Sequence, residues 1–173
     1  RYLRIHAEEF GIDTGKIIGS GGSAGGHIAA ATGIIEGLEE EGEDLSISSK
    51  ANALVLFNPV VDMSPEGFAN DKVGDRYLEI SPMQNVSKEA PPTIFFLGTK
   101  DKLIPVSIAE KFKSKMEAIG SRCDLYLYKD QPHGFFNKGR QEADRCYIET
   151  VYEADLFLQS LGYLKGKQTI KIK

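Results

Sequence analysis

Three residues of this chain have the types that together make a nucleophile. Ser23 lies in Gly21-Gly22-Ser23-Ala24-Gly25, a serine with a glycine two positions away on either side. A serine hydroxyl attacks poorly at neutral pH and needs a base within hydrogen-bond reach, and imidazole titrates in the right range. The chain has three histidines, of which His133 stands in His133-Gly134-Phe135. The imidazole needs a carboxylate to fix its tautomer and stabilise its charged form. Asp101, closing Gly98-Thr99-Lys100-Asp101, is the candidate. Such a set performs acyl transfer: the serine oxygen takes an acyl group and water then removes it.

The elements that must position these residues follow from the apolar pattern. Lys16 to Gly19 is a short strand, and Ser23 to Gly33 is a helix of small residues. Ala53 to Phe57 is an uninterrupted apolar run stopped by Asn58-Pro59, as suits a strand buried on both faces. Thr93 to Leu97 and Asp124 to Tyr128 are two further strands. Ile108, Phe112, Met116 and Ile119 recur at helical spacing before Gly120, as do Ala143, Tyr147, Val151, Ala154, Leu158 and Leu161 before Gly162. An opening helix ends at Gly11. The acidic stretch Glu36 to Asp44 reads as a solvated loop or a fraying helix end. Met63 to Pro91 is irregular, with Ser81-Pro82 as a helix start. Strands alternating with helices imply an α/β fold, a parallel sheet covered on both faces. Ligands of such sheets bind beyond the carboxyl ends of the strands. Ser23, Asp101 and His133 each stand just past a strand.

The segment around Ser23 has its own physics. A serine in a sharp strand-to-helix turn has a strained backbone, and Gly21 and Gly25 remove the Cβ atoms expected to clash there. The helix N-terminus offers free N–H groups and a positive dipole end to a developing oxyanion. The same stretch also satisfies a dinucleotide fingerprint, Gly19-x-Gly21-x-x-Ala24. That reading wants an acidic residue at the end of the next strand, whereas Glu39 to Glu41 precede that strand. His6, on the opening helix, and His27, inside the helix after Ser23 and expected to face away from a strand end, read as structural.

With these motifs in place, the chain resembles the α/β-hydrolase superfamily. It is most similar to the bacterial esterase/lipase group that includes hormone-sensitive-lipase-like carboxylesterases and acetyl xylan or feruloyl esterases. The resemblance rests on Gly21-Gly22-Ser23-Ala24-Gly25-Gly26-His27, Gly98-Thr99-Lys100-Asp101 and His133-Gly134-Phe135, in the order Ser, Asp, His. Gly11-Ile12-Asp13 and Ser81-Pro82 add lesser matches. It implies Ser23 as nucleophile, His133 as general base and then acid, Asp101 as its orienting carboxylate, Ala24 N–H as an oxyanion donor, and Gly21, Gly22 and Gly25 as the nucleophile elbow. It implies no cofactor and no metal. The substrate class is a small-molecule or carbohydrate ester.

The resemblance also implies a partial fold. Family members have about eight strands, and this chain supplies the last four, as residues 1–164 with a tail at 165–173. The family's His-Gly-Gly-Gly oxyanion loop has no counterpart in these residues. Two expectations follow. The first strand has an open edge, which pairs with the missing N-terminal half or with a second copy. A second reading of function also stands: a hydrolase fragment that folds but is catalytically silent. The tail Gln168 to Lys173 alternates polar and apolar residues, as a short edge strand or a disordered end would.

Composition narrows the classes. A length of 173 residues suits one domain. Apolar residues make up 41% and charged residues 27%, which excludes a wholly disordered chain. The net charge of −4 argues against nucleic acid as a partner, and no apolar run is long enough to span a bilayer. Cys123 and Cys146, both in apolar segments, are expected to be buried thiols rather than a disulfide. The chain opens on Arg1 within a helical pattern and reads as a fragment, so any targeting signal would precede it.

Overall fold

The computed structural model describes residues 1–140 and 144–170. The apolar runs form four strands: β1 (Ile18–Gly22), β2 (Ala53–Phe57), β3 (Thr93–Gly98) and β4 (Cys123–Tyr128). All pairings are parallel, in the order β1-β2-β3-β4. The fold class is the expected α/β one. β1 begins later than Lys16, whose N–H turns back onto the Asp13 carbonyl, and it runs on through Gly22, opposite Phe57.

Alternation along the strands explains why the runs are apolar throughout. Leu54, Leu56, Phe95 and Leu97 point to one face, and Ala53, Val55, Ile94 and Phe96 to the other. The first face is covered by α3 (Ala24–Ile34) and α7 (Val106–Ala118), through Ala30, Ile34, Ile108 and Phe112. The second is covered by α8 (Arg145–Ser160), with Cys146 and Phe157 in the core. Ala30 and Gly33 let α3 lie close on the sheet; a Cβ on Gly33 would stand 3.1 Å from both Leu54 and Pro91.

The opening helix is two short pieces, α1 (Tyr2–Ile5) and α2 (Ala7–Phe10), broken at His6 and ended by Gly11 at φ +64°. Arg4 ties them to the sheet by donating to the Ser48 and Lys50 carbonyls and to Asn52 Oδ1. The acidic stretch after Ile35 is a loop whose Glu39 and Glu43 pair with Arg1 and whose Glu36 pairs with Lys50. The irregular Met63–Pro91 segment carries α4 (Asn70–Val73), a 3₁₀ turn at Gly74–Arg76, α5 (Tyr77–Ile80) and α6 (Pro82–Asn85). These are single turns too short to leave a helical period in the sequence. α6 starts at Ser81-Pro82, and the Ser81 hydroxyl bridges the Val61 carbonyl and the Met63 N–H.

The stripe on α8 needs correction. Its buried positions are Cys146, Thr150 and Phe157, with Ala154, Leu158 and Leu161 beside them; Tyr147 is rotated toward solvent. Ala143 lies outside the described residues, as do 171–173 of the tail. Residues 165–170 form no strand.

Cys123 and Cys146 are buried thiols and form no disulfide with each other, as expected. Burial pushes the Cys123 thiol up to about 12, so at pH 8 it stays protonated. In the native chain Cys123 should therefore resist a thiol-exchange reagent such as DTNB at pH 8 and react only in denaturant. Rapid native labelling of Cys123, located by peptide mapping, would contradict this placement.

Candidate active site

β1 runs straight into the turn that carries Ser23. Its backbone is at φ 55° and ψ −119°, a left-handed conformation that costs an L-residue of this kind about 1–3 kcal/mol. The neighbours hold it there. Ser23 N–H donates to the Phe57 carbonyl at 2.9 Å, and the Ser23 carbonyl accepts from His27 N at 3.0 Å and Val60 N at 3.4 Å. The parallel ladder thus continues one residue past β1 and locks the turn.

The glycines divide the steric work differently from the sequence expectation. A Cβ on Gly21 would strike the backbone carbonyl of Gly25 and approach Gly26 N to 2.8 Å. One on Gly26 would meet Pro59 Cβ at 2.8 Å, and one on Gly22 the ring of Phe136 at 2.6 Å. A Cβ on Gly25, by contrast, meets nothing within 4 Å. Gly25 contributes its closely approached carbonyl, not its missing side chain.

Asp101 follows β3 in a loop knitted to the segment leading to His133. Gly98 lies so close to the Gln131 carbonyl that any side chain would collide with it. Lys100 N donates to the same carbonyl at 2.9 Å, and Thr99 Oγ1 accepts from Asp130 N at 2.8 Å. The Asp101 side chain is fully buried. Its Oδ1 accepts from Leu103 N at 2.8 Å and Ile104 N at 3.0 Å, and its Oδ2 lies 2.7 Å from His133 Nδ1. Two backbone donors fix this carboxylate, leaving one oxygen for the imidazole.

His133 completes a line. Its Nε2 lies 3.0 Å from Ser23 Oγ. With Nδ1 donating to Asp101, Nε2 is the acceptor for the serine proton, which is the arrangement a general base requires. Ala24 is the first residue of α3, where the backbone N–H has no partner within the helix. A carbonyl at Ser23 Oγ would find a hydrogen-bond donor and the positive end of the helix beside it. The structure thus brings Ser23, Asp101, His133, Ala24, Gly21, Gly22 and Gly25 together at the carboxyl edge of the sheet.

His6 and His27 stay outside this line. His6 pairs with Glu9 on the surface. His27 does not face away from the strand ends as expected: its Nδ1 lies 2.8 Å from the Val60 carbonyl, in the segment that leaves β2. Among the described residues no cluster of histidine, cysteine and acidic side chains could hold a metal ion, and no helix is long and apolar enough to cross a membrane.

Two residues at the site escaped the sequence reading. Phe136 packs its ring over Gly22 and against Phe57, 4.8 Å between centroids, and so pins the histidine loop onto β1. Asn58 is fully buried at φ 34°, directly after β2. Its Oδ1 accepts from Gly134 N at 2.9 Å, and its Nδ2 stands 3.3 Å from His133 Nε2. In the sequence Asn58 looked like a strand stop. Its position past a strand end is the one signal in the sequence for a role at the site.

Comparison with known proteins places this geometry in context. The BD-FAE family model matches residues 1–116. A probable isoprenylcysteine alpha-carbonyl methylesterase of Arabidopsis thaliana is 30% identical over 152 residues, covering 74% of this chain and 32% of that protein. The esterase LipC of Mycobacterium tuberculosis is 28% identical over 154 residues, covering 78% of this chain and 38% of its own. Among solved structures, the apo form of Thermogutta terrifontis esterase 2 superposes with a TM-score of 0.89 at 41% identity, over 96% of this chain and 63% of that one. The same esterase has been solved with propionate bound, with butyrate bound and phosphorylated by paraoxon. The chain spans about a third of the length of the curated relatives and under two thirds of that esterase.

The glycine geometry separates two substitutions that the motif treats alike. Gly21→Ala forces backbone apart and should destabilise the chain by about 1–3 kcal/mol. Gly25→Ala enters open space in the first turn of α3 and should be neutral or stabilising by up to about 1 kcal/mol, since alanine is the better helix former. Urea unfolding of the two variants checks the contrast, and equal losses would refute it.

Proposed function

The chain belongs to the BD-FAE family of α/β-hydrolase esterases, and from that premise we propose that it is a serine carboxylic-ester hydrolase for esters of short acyl groups. The observation that carries the proposal is the continuous line Ser23 Oγ, His133 Nε2, His133 Nδ1, Asp101 Oδ2, at 3.0 and 2.7 Å, ending on a serine held at positive φ. Propionate and butyrate bound to the Thermogutta esterase support the short acyl group.

The steps follow from the atoms. His133 Nε2 accepts the Ser23 proton as Oγ attacks the ester carbonyl. The negative charge that develops on the carbonyl oxygen is met by the Ala24 N–H and the N-terminal end of α3. The imidazolium is stabilised by the Asp101 carboxylate, which two backbone donors hold in place. His133 then passes its proton to the departing alcohol, leaving an acyl group on Ser23. Water deprotonated by His133 releases the acid and restores the serine. Attack on the ester needs the imidazole to begin neutral, with a lone pair on Nε2.

The partner in this proposal is the ester itself, with a second contact at the outer edge of β1. Among the described residues β1 pairs with β2 alone. Tyr2, Leu3, Ile5 and Phe10 on α1 and α2 and Ile28 on α3 are exposed. A parallel strand left unpaired on one side recruits a further strand, from the same fold or from a second copy.

Two experiments test these readings. With p-nitrophenyl butyrate as substrate, Ser23→Ala should reduce hydrolysis to background and Asp101→Asn should lower kcat by about 10⁴, through loss of the correct tautomer. Paraoxon or a fluorophosphonate should label Ser23; an unlabelled serine in a folded chain would favour the catalytically silent reading. Hydrogen exchange and light scattering test the edge. Protected amides on the outer side of Ile18–Gly22 in a dimer or larger assembly are expected, and a monomer with freely exchanging amides there would sink that part of the proposal.

A further inference from the structure

We infer that Asn58 is a positioning residue that keeps the resting imidazole of His133 neutral. The inference rests on the ester-hydrolase reading above and goes beyond the Ser23–His133–Asp101 line.

The amide of Asn58 can face only one way. Gly134 N–H is a donor, so the atom 2.9 Å from it is the amide oxygen, and the group left 3.3 Å from His133 Nε2 is the NH₂. The residue is fully buried and its own N–H is tied to the Phe96 carbonyl at 2.7 Å, so neither rotation nor solvent offers an alternative. An NH₂ is a donor only. It is matched by Nε2 when that nitrogen carries a lone pair, and opposed when Nε2 carries a proton.

The two sides of the ring are therefore set in opposite senses. Asp101 accepts from Nδ1 and favours a proton there. Asn58 and Ser23 both present hydrogens to Nε2 and favour its lone pair. Together they select the neutral tautomer with the proton on Nδ1, the form that can accept from serine. The other charged groups of the adjoining loops do not compete. Lys100 and Asp130 pair with each other at 3.0 Å, and His27, from α3, is turned to the Val60 carbonyl. Asn58 also fixes the loop itself, since its bond to Gly134 holds the residue next to the imidazole at φ +77°.

Asn58→Asp reverses one sign at constant shape. Its Oδ1 still accepts from Gly134, but an anionic oxygen now faces Nε2. An opposite charge at this range raises proton affinity by roughly tenfold or more. The test is the ¹⁵N imidazole spectrum of the full chain through the acid and neutral range, with His133 assigned by His133→Gln. Expected for the unsubstituted chain is a neutral His133 protonated on Nδ1. In Asn58→Asp the His133 titration midpoint should rise by about one pH unit or more, with the acid limb of kcat/KM for p-nitrophenyl butyrate moving by the same amount. In Asn58→Ala, which covers the case of a misfolded Asp variant, the midpoint should rise by less. Midpoints unchanged within about 0.3 unit in the folded variants, or a neutral ring protonated on Nε2, would overturn the inference. The spectra decide this even for a chain without esterase activity, whereas inactivity of the unsubstituted chain counts against the proposed function.

Discussion

The site is organised around a single strained residue. Ser23 has a positive φ that its side chain disfavours, and nothing local to the turn relieves it. The strain is tolerated because β2 supplies the next rung of the ladder through Phe57, while His27 and Val60 hold the Ser23 carbonyl. Removing any of these would let the turn relax and withdraw the hydroxyl from the sheet edge. The glycines follow from the same constraint. β1 must end in backbone thin enough for α3 to begin almost on top of it, so Gly21 and Gly26 have no room for a side chain. Gly22 leaves its face open to Phe136. What looks like a serine motif is also a docking surface for the histidine loop.

The second half of the site is built by joining two loops. His133 lies in a turn with no regular structure of its own, and such a segment would wander unless tied down. It is tied three times. The loop after β3 grips its approach through Thr99, Lys100 and the glycine at 98; Asn58 grips it at Gly134; and Phe136 wedges it against β1. Each of the first three strands thus contributes one hold on a residue that sits past the end of the fourth. The apolar core beneath makes this stiff. The inner strands bury both faces, so the strand ends cannot shift independently of one another.

Much of this was legible in the sequence because it depends on composition at strand ends. Continuous apolar runs mark strands covered on both sides, and the polar residues directly after them, Ser23, Asp101 and His133, stand out. Asn58 satisfied the same rule, but Asn before proline also reads as a strand stop, and that reading hid its role. The function of Gly25 was misread for a different reason. A motif names the residues that are small without saying which partner each must approach, and only the backbone path reveals that Gly21 meets the Gly25 carbonyl. The stripe on α8 drifted because Cys146 and Thr150 are not strongly apolar, yet they face the sheet. The short helices between Asn70 and Asn85 are held by single side chains such as Asn85 and Ser81 rather than by a periodic face, so no period existed to be read.

The open edge of β1 and the Ser23–His133–Asp101 line are separable features of the same sheet. Every contact that positions the line comes from β1 to β4 and the segments joining them, all within this chain: the Phe57 carbonyl for the serine, two N–H groups after β3 for the carboxylate, and Asn58 and Phe136 for the imidazole. None of them crosses the outer side of β1. A strand added there would therefore leave the three side chains where they are. It would instead pair the open side of the strand that ends in the strained serine. The proton transfer and covalent attack proposed above depend on the line alone, and so on contacts that lie inside this chain.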